Sequence, residues 1–97
     1  MPRYISLVNW TDQGIRNVKE SPNRLRQSEG QLQQLGVKLL DFYLTMGDHD
    51  MAVIVEAPDD EAMARFALAL GAQGNVRTKT LKAFTRDEYE RIIGSLP

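Results

Sequence analysis

Four short segments rich in β-branched and aromatic residues, separated by two helical stripes, predict an α+β fold for this chain. Three observations carry that prediction. The segments run in the order strand, helix, strand, strand, helix, strand. A length of 97 residues leaves room for one packed core, and 42% hydrophobic with 26% charged residues match an ordinary globular domain. A βαββαβ unit of this size most simply makes a ferredoxin-like sandwich occupying residues 1–97 as a single domain. Four antiparallel strands then carry two helices on one face, with a short C-terminal helix added.

Arg3 to Trp10 (RYISLVNW) reads as the first strand, with Tyr4, Ser6, Val8 and Trp10 on one side and Ile5, Leu7 and Asn9 on the other. Thr11 and Asp12 are N-cap candidates for a helix in which Ile15, Val18, Leu25, Leu32 and Leu35 share a stripe. Pro22 opposes the carbonyl of Val18 and predicts a kink or two short helices, and Gly36 predicts the C-terminus. Val37 to Met46 and Met51 to Glu56 form the next two strands, joined by the tight connection Gly47-Asp48-His49-Asp50. Pro58 and the carboxylates Asp59, Asp60 and Glu61 suit a helix N-terminus, after which Met63, Phe66, Ala67 and Leu70 share a face. Asn75 to Phe84 completes the sheet. Thr85 and Glu88 form a capping box for a last helix whose Tyr89, Ile92 and Ile93 point one way.

Twelve Lys+Arg against thirteen Asp+Glu give a net charge of −1, so no nucleic acid and no anionic lipid is expected as a partner. No apolar run approaches the ~18–20 residues of a membrane span, and Met1 to Trp10 lacks the pattern of a signal peptide. The absence of cysteine excludes disulfides, Cys-ligated zinc and a thiol nucleophile. A cytoplasmic protein without metal or cofactor is the expectation. Ser6, Ser21, Ser28 and Ser95 sit in no nucleophile elbow.

The strands carry apolar residues on both faces. In the second strand, simple alternation sets Val37, Leu39 and Tyr43 against Leu40, Phe42, Leu44 and Met46; in the third it sets Met51, Val53 and Val55 against Ala52 and Ile54. A sheet covered on one side only should alternate apolar with polar, so a second copy is expected on the open face, giving a homodimer. The competing expectation is a monomer whose last helix folds across that face.

Tyr4-Ile-Ser-Leu, Trp10-Thr-Asp-Gln-Gly, Gly47-Asp-His-Asp, Glu56-Ala-Pro-Asp-Asp-Glu-Ala and Gly74-Asn-Val-Arg-Thr-Lys-Thr-Leu-Lys-Ala-Phe together resemble the GYD domain family over nearly the whole chain. The family's Gly-x-Tyr-Asp turn is matched at Gly47 and Asp50, while His49 stands where the family usually has Tyr. The resemblance implies a fold of the dimeric α/β-barrel type, two ferredoxin-like sheets packed face to face. It carries over no catalytic residue and leaves open whether the chain is an enzyme.

Gly47-Asp48-His49-Asp50 sets two carboxylates beside the one histidine, the groups that metal binding or acid–base work would use. Three consecutive residues rarely converge on one ion, so a structural turn is the favoured reading. Asn9, Trp10, Tyr43, His49 and Arg77 are the candidate ligand-binding residues. The resemblance suggests them, because similar barrels include cofactor-free oxygenases that hold aromatic substrates with such side chains. Arg77 and Lys79 share one side of the fourth strand and could hold a carboxylate or phosphate, but the favoured reading is structural, with Arg77 pairing with Glu56 or Asp41 across the sheet.

Two functions follow. The first is a homodimeric accessory module, or one that binds a small-molecule ligand. The alternative is a cofactor-independent oxygenase or isomerase acting on a small aromatic substrate beside Trp10, Tyr43 and Arg77, which a cavity lined by Tyr43, Arg77 and His49 would favour. Leu68, off the buried stripe of its helix, suggests further assembly.

Overall fold

The computed structural model describes residues 1–97. Strand β1 (Arg3–Trp10) leads through α1 (Asp12–Arg16), a 3-10 turn (Val18–Glu20) and α2 (Ser21–Gln34) into β2 (Lys38–Leu44). Strand β3 (Met51–Glu56), α3 (Asp60–Ala72), β4 (Val76–Ala83) and α4 (Arg86–Gly94) follow. The strands make one antiparallel sheet in the order β2-β3-β1-β4, the ferredoxin-like arrangement. No helix is long and apolar enough to cross a membrane.

Local chemistry sets the borders. Thr11 Oγ1 accepts from the Gly14 N–H at 3.1 Å and an Asp59 oxygen from the Ala62 N–H at 2.8 Å, capping α1 and α3. At α4 the Glu88 N–H donates to Thr85 Oγ1 at 3.2 Å while Glu88 accepts from the Thr85 N–H at 2.9 Å, the reciprocal box read from the sequence. Those bonds hold the Glu88 carboxyl below the usual carboxylate range. The long helix divides as Pro22 demands. Pro22 lies in the first turn of α2, where a missing N–H is tolerated, and the break falls upstream of it. One consequence corrects the sequence reading: Ile15 is 50% exposed, so the buried stripe begins only with half-buried Val18 and Leu25. Gly36, at φ 71°, ends the segment as expected.

The core lies between the sheet and α2–α3. Its larger part is built around Tyr4, Leu32, Val55, Met63 and Phe66; a smaller cluster joins Val8, Met51 and Val76. Val53 and Leu70 pack against both.

A bulge corrects the expected alternation in β2. The register slips between Leu39 and Asp41, making Leu40 the extra residue. Beyond the slip Phe42 lies opposite Val53 and Leu44 opposite Met51, so both join Leu39 on the helix side. Asp41 and Tyr43 turn to the other side, opposite Ile54 and Ala52.

The open side is thereby laid out in rows across the sheet. One runs Lys38, Glu56, Arg3, Ala83; the next Asp41, Ile54, Ile5, Leu81; the third Tyr43, Ala52, Leu7, Lys79; Asn9 and Arg77 stand at the far end. Ile5, Leu7, Ala52 and Ile54 are half-buried, while Leu81 is 52% exposed. Helix α4, the alternative cover, buries none of its own residues and leaves Tyr89 and Ile93 exposed.

Candidate functional site

The segment between β2 and β3 is stitched to the end of β1. Asn9 Nδ2 donates to the Asp48 carbonyl at 2.9 Å, which leaves Asn9 Oδ1 to accept from His49 Nδ1 at 2.9 Å. The imidazole therefore carries a proton on Nδ1. The Trp10 backbone N–H donates to Asp50 Oδ2 at 3.0 Å, and the Asp50 N–H to the Val8 carbonyl at 3.0 Å. Thr45 closes the loop, its N–H on the Asp50 carbonyl at 2.8 Å and its hydroxyl on the His49 carbonyl at 2.6 Å. Gly47 adopts φ 110°, a backbone state that a side chain would strain. Asp48, His49 and Asp50 are thus each engaged in holding the loop against β1, and no three His, Asp or Glu side chains gather anywhere in a way that could hold a metal ion.

Arg77 stands opposite Asn9 on β4, exposed and without a carboxylate partner. The pairing read for it from the sequence is made elsewhere: Glu56 bonds Arg3 at 3.2 Å, and Asp41 sits on β2 at the opposite edge. Lys79 likewise has no ion pair, so one border of the open side carries two uncompensated cations. Tyr43 lies on the other border. It is separated from β4 by β3 and β1, about 14 Å at the usual strand spacing, so it and Arg77 are not brought together.

Trp10 turns the other way. Its register opposite Val76 places it on the helix side, where it lines a cavity of about 90 Å³ between the sheet, α2 and α3. Asn9, Tyr43, His49 and Arg77 do not reach this cavity. Nor do they line a shallower depression of about 240 Å³ beside Tyr4, Asp60, Met63 and Lys82. In that depression the Tyr4 hydroxyl donates to Asp60, which also pairs with Lys82 Nζ at 3.2 Å. Burial, with help from the Asp60 carboxylate, pushes the Tyr4 hydroxyl up to about 12, while the Tyr4 and Lys82 hydrogen bonds hold Asp60 below the usual carboxylate range. A phenol held neutral so firmly is a strut between β1 and α3 rather than a proton donor at neutral pH.

Sequence reasoning misses Ser6 and Arg24, which lie at the cavity. The signal for Ser6 is its place on the inward side of β1 between Tyr4 and Val8, a hydroxyl among apolar neighbours.

Comparison with known proteins adds three findings. The family model of the GYD domain matches residues 4–93. A relative from Thermus thermophilus, named glutamine synthetase and cystathionine beta-lyase binding protein, is 34% identical over 84 residues, covering 86% of this chain and 88% of the relative. Among solved structures, the crystal structure of MtbAldR matches the fold with a TM-score of 0.59 at 19% identity, over 88% of this chain and 52% of that one. This chain therefore spans about half the length of that structure, and the likeness is one of fold alone, the ferredoxin-like sandwich.

Proposed function

The chain belongs to the GYD domain family, and on that premise we propose that it is a small homodimeric binding module, an accessory protein that docks on larger enzymes. The observation that carries this reading is the uncovered side of the sheet. Ile5, Leu7, Ala52, Ile54 and Leu81 form a contiguous apolar field, with Asp41 at one border and Arg77 and Lys79 at the other. A field of this kind is covered in working proteins, and the same field on a second copy is its simplest complement. With the two-fold axis along the strands, the β2 border of one copy lies over the β4 border of the other, Asp41 over the row of Leu81 and one row from Lys79.

The relative named for binding glutamine synthetase and cystathionine beta-lyase supports protein partners. Exposed Leu68 on α3, Tyr89 and Ile93 on α4 and Leu96 just beyond it lie outside the sheet field and offer contact surface for them. The cysteine-free sequence fits a cytoplasmic setting. No observation favours the oxygenase reading, whose residues stand apart on two sides of the sheet.

Sedimentation equilibrium tests the dimer. The wild type is expected at twice 11.0 kDa and Ile54→Lys at 11.0 kDa; a wild type that sediments as a monomer refutes it. Calorimetric titration into purified glutamine synthetase and into cystathionine beta-lyase tests the docking. Saturable heat with either enzyme supports it, and silence with both up to about 100 μM, the range of weak specific contacts, refutes it.

A further inference from the structure

The cavity behind Trp10 lies on the side of the sheet away from the proposed dimer face and is independent of it. It sits where the core divides. Leu32, Val55 and Phe66 of the larger cluster wall one part, and Val8, Met51 and Val76 of the smaller cluster wall another. At about 90 Å³ it is several times the ~10–15 Å³ that one water needs.

The mostly apolar wall is interrupted by two polar side chains with hydrogen-bonding capacity to spare, Ser6 and Arg24. Ser6, only 6% exposed, turns its hydroxyl into the cavity and makes no hydrogen bond to the protein. Its donor and acceptor sites are left free by the protein for an atom that enters the cavity. Arg24 reaches the cavity from α2. Its Nη1 donates to the Asn17 carbonyl at 2.9 Å and its Nη2 to the Gly14 carbonyl at 3.5 Å, but no carboxylate pairs with it. Half-buried beside apolar walls, that cation is uncompensated.

The part of the wall formed by Gln73 and Asn75 is built to hold its shape. Thr11 donates from its hydroxyl to the Gly74 carbonyl at 2.6 Å and from its N–H to the Asn75 carbonyl at 3.0 Å. Gly14 presses so closely on Asn75 that a Cβ would lie 1.9 Å from the carbonyl oxygen. Asn75 and Gln73, both lining the cavity, are fixed through Gln13, whose Nε2 bonds the Asn75 side chain at 2.9 Å. A wall fixed before binding loses little freedom on binding.

We propose that this cavity binds a short aliphatic carboxylic acid carrying a second hydrogen-bonding atom. The carboxylate pairs with the Arg24 guanidinium, the aliphatic body fills the space against Val8, Val53 and Phe66, and the second polar atom satisfies Ser6. Arg24 selects for charge, Ser6 selects against a plain hydrocarbon tail, and the cavity volume excludes anything of drug size.

Nitrogen-15 NMR titrations of the full chain with 4-oxopentanoate, pentanoate, 2-pentanone and sulfate test this. Saturable shifts at Ser6, Phe66 and Arg24 are expected with 4-oxopentanoate. Loss of the carboxylate, in 2-pentanone, is expected to weaken binding about tenfold or more, the usual consequence of removing a charge-assisted bond. Loss of the ketone, in pentanoate, is expected to weaken it several-fold, and Ser6→Ala to erase that difference. Arg24→Gln is expected to abolish the preference for charge, and Arg26→Ala, on the exposed side of α2, to preserve it. The proposal is overturned by no saturable shift up to about 50 mM, far above a millimolar dissociation constant. Equal binding of 2-pentanone, or shifts reproduced by sulfate alone, overturn it as well. The ligand series is read on the wild type, so the test does not depend on Arg24→Gln folding.

Discussion

The two sides of the sheet are made from the same strands and carry comparably apolar residues, yet they meet different surroundings. Toward the helices Tyr4, Val8, Met51 and Val55 are buried; toward the open side Ile5, Leu7, Ala52 and Ile54 stay half-covered. A strand hands alternate residues to its two faces, so strand composition alone names neither face as the interior. The helices decide. What the contrast teaches is that one apolar surface is completed within the chain, and the other is left uncovered by it.

The largest expected effect comes from the helix side. Phe66, 7% exposed, is expected to cost about 3–5 kcal/mol when replaced by Ala, whereas Leu81→Ala on the open side changes the stability of the isolated monomer by no more than ~0.5 kcal/mol. Urea unfolding of protein dilute enough to be monomeric reads both, and similar losses for the two would erase the contrast.

A smaller effect is expected at the Tyr4–Asp60–Lys82 strut, which fastens α3 to the inner side. The Tyr4 hydroxyl is raised to about 12 in the folded chain, against an ordinary value of 10.0. The folded state therefore holds its proton more firmly, and the stabilisation is complete below pH 10 and is lost as pH rises toward 12. Asp60 is shifted down, so its contribution is present above the ordinary carboxylate range and fades as acid protonates the folded form. Tyr4→Phe is expected to lower stability by about 1 kcal/mol at pH 7 and to flatten the alkaline loss. Melting temperatures of the two proteins across pH 7 to 12 check this; a wild-type alkaline loss that persists unchanged in Tyr4→Phe contradicts it.

The smallest effect belongs to Arg77. Without a carboxylate partner it holds nothing in the monomer, so Arg77→Ala is expected to shift the unfolding free energy by less than ~0.5 kcal/mol. The same substitution is expected to weaken self-association, measured by sedimentation. A large loss of monomer stability would instead make Arg77 part of the sheet's own framework.

Most of the fold was legible in the sequence because its signals are local. The β3 borders, the break near Pro22, Gly36 and the Thr85–Glu88 box each depend on residues within a turn or two of one another. The β2 bulge was not, since inserting Leu40 changes no composition and only the partner strand reveals the slip. The candidate site was legible in part. Asn9 and His49 do meet, and Asp50 joins them through the Trp10 N–H. Tyr43 was beyond reach of sequence reasoning, because its distance from Arg77 is fixed by the strand order. The cavity escaped notice for a similar reason: its walls come from all four strands and two helices.

The bulge in β2 has one more consequence. Strands at the borders of a sheet expose rows of main-chain donors and acceptors, an invitation to strands of other molecules. At the β2 border the extra residue breaks that row, so an incoming strand finds no regular spacing along it. The β4 border repels by charge, carrying the unpaired cations Arg77 and Lys79 two residues apart. Sideways growth of the sheet into a fibre is obstructed at both ends, which leaves contacts to the flat side of the sheet and to the helices.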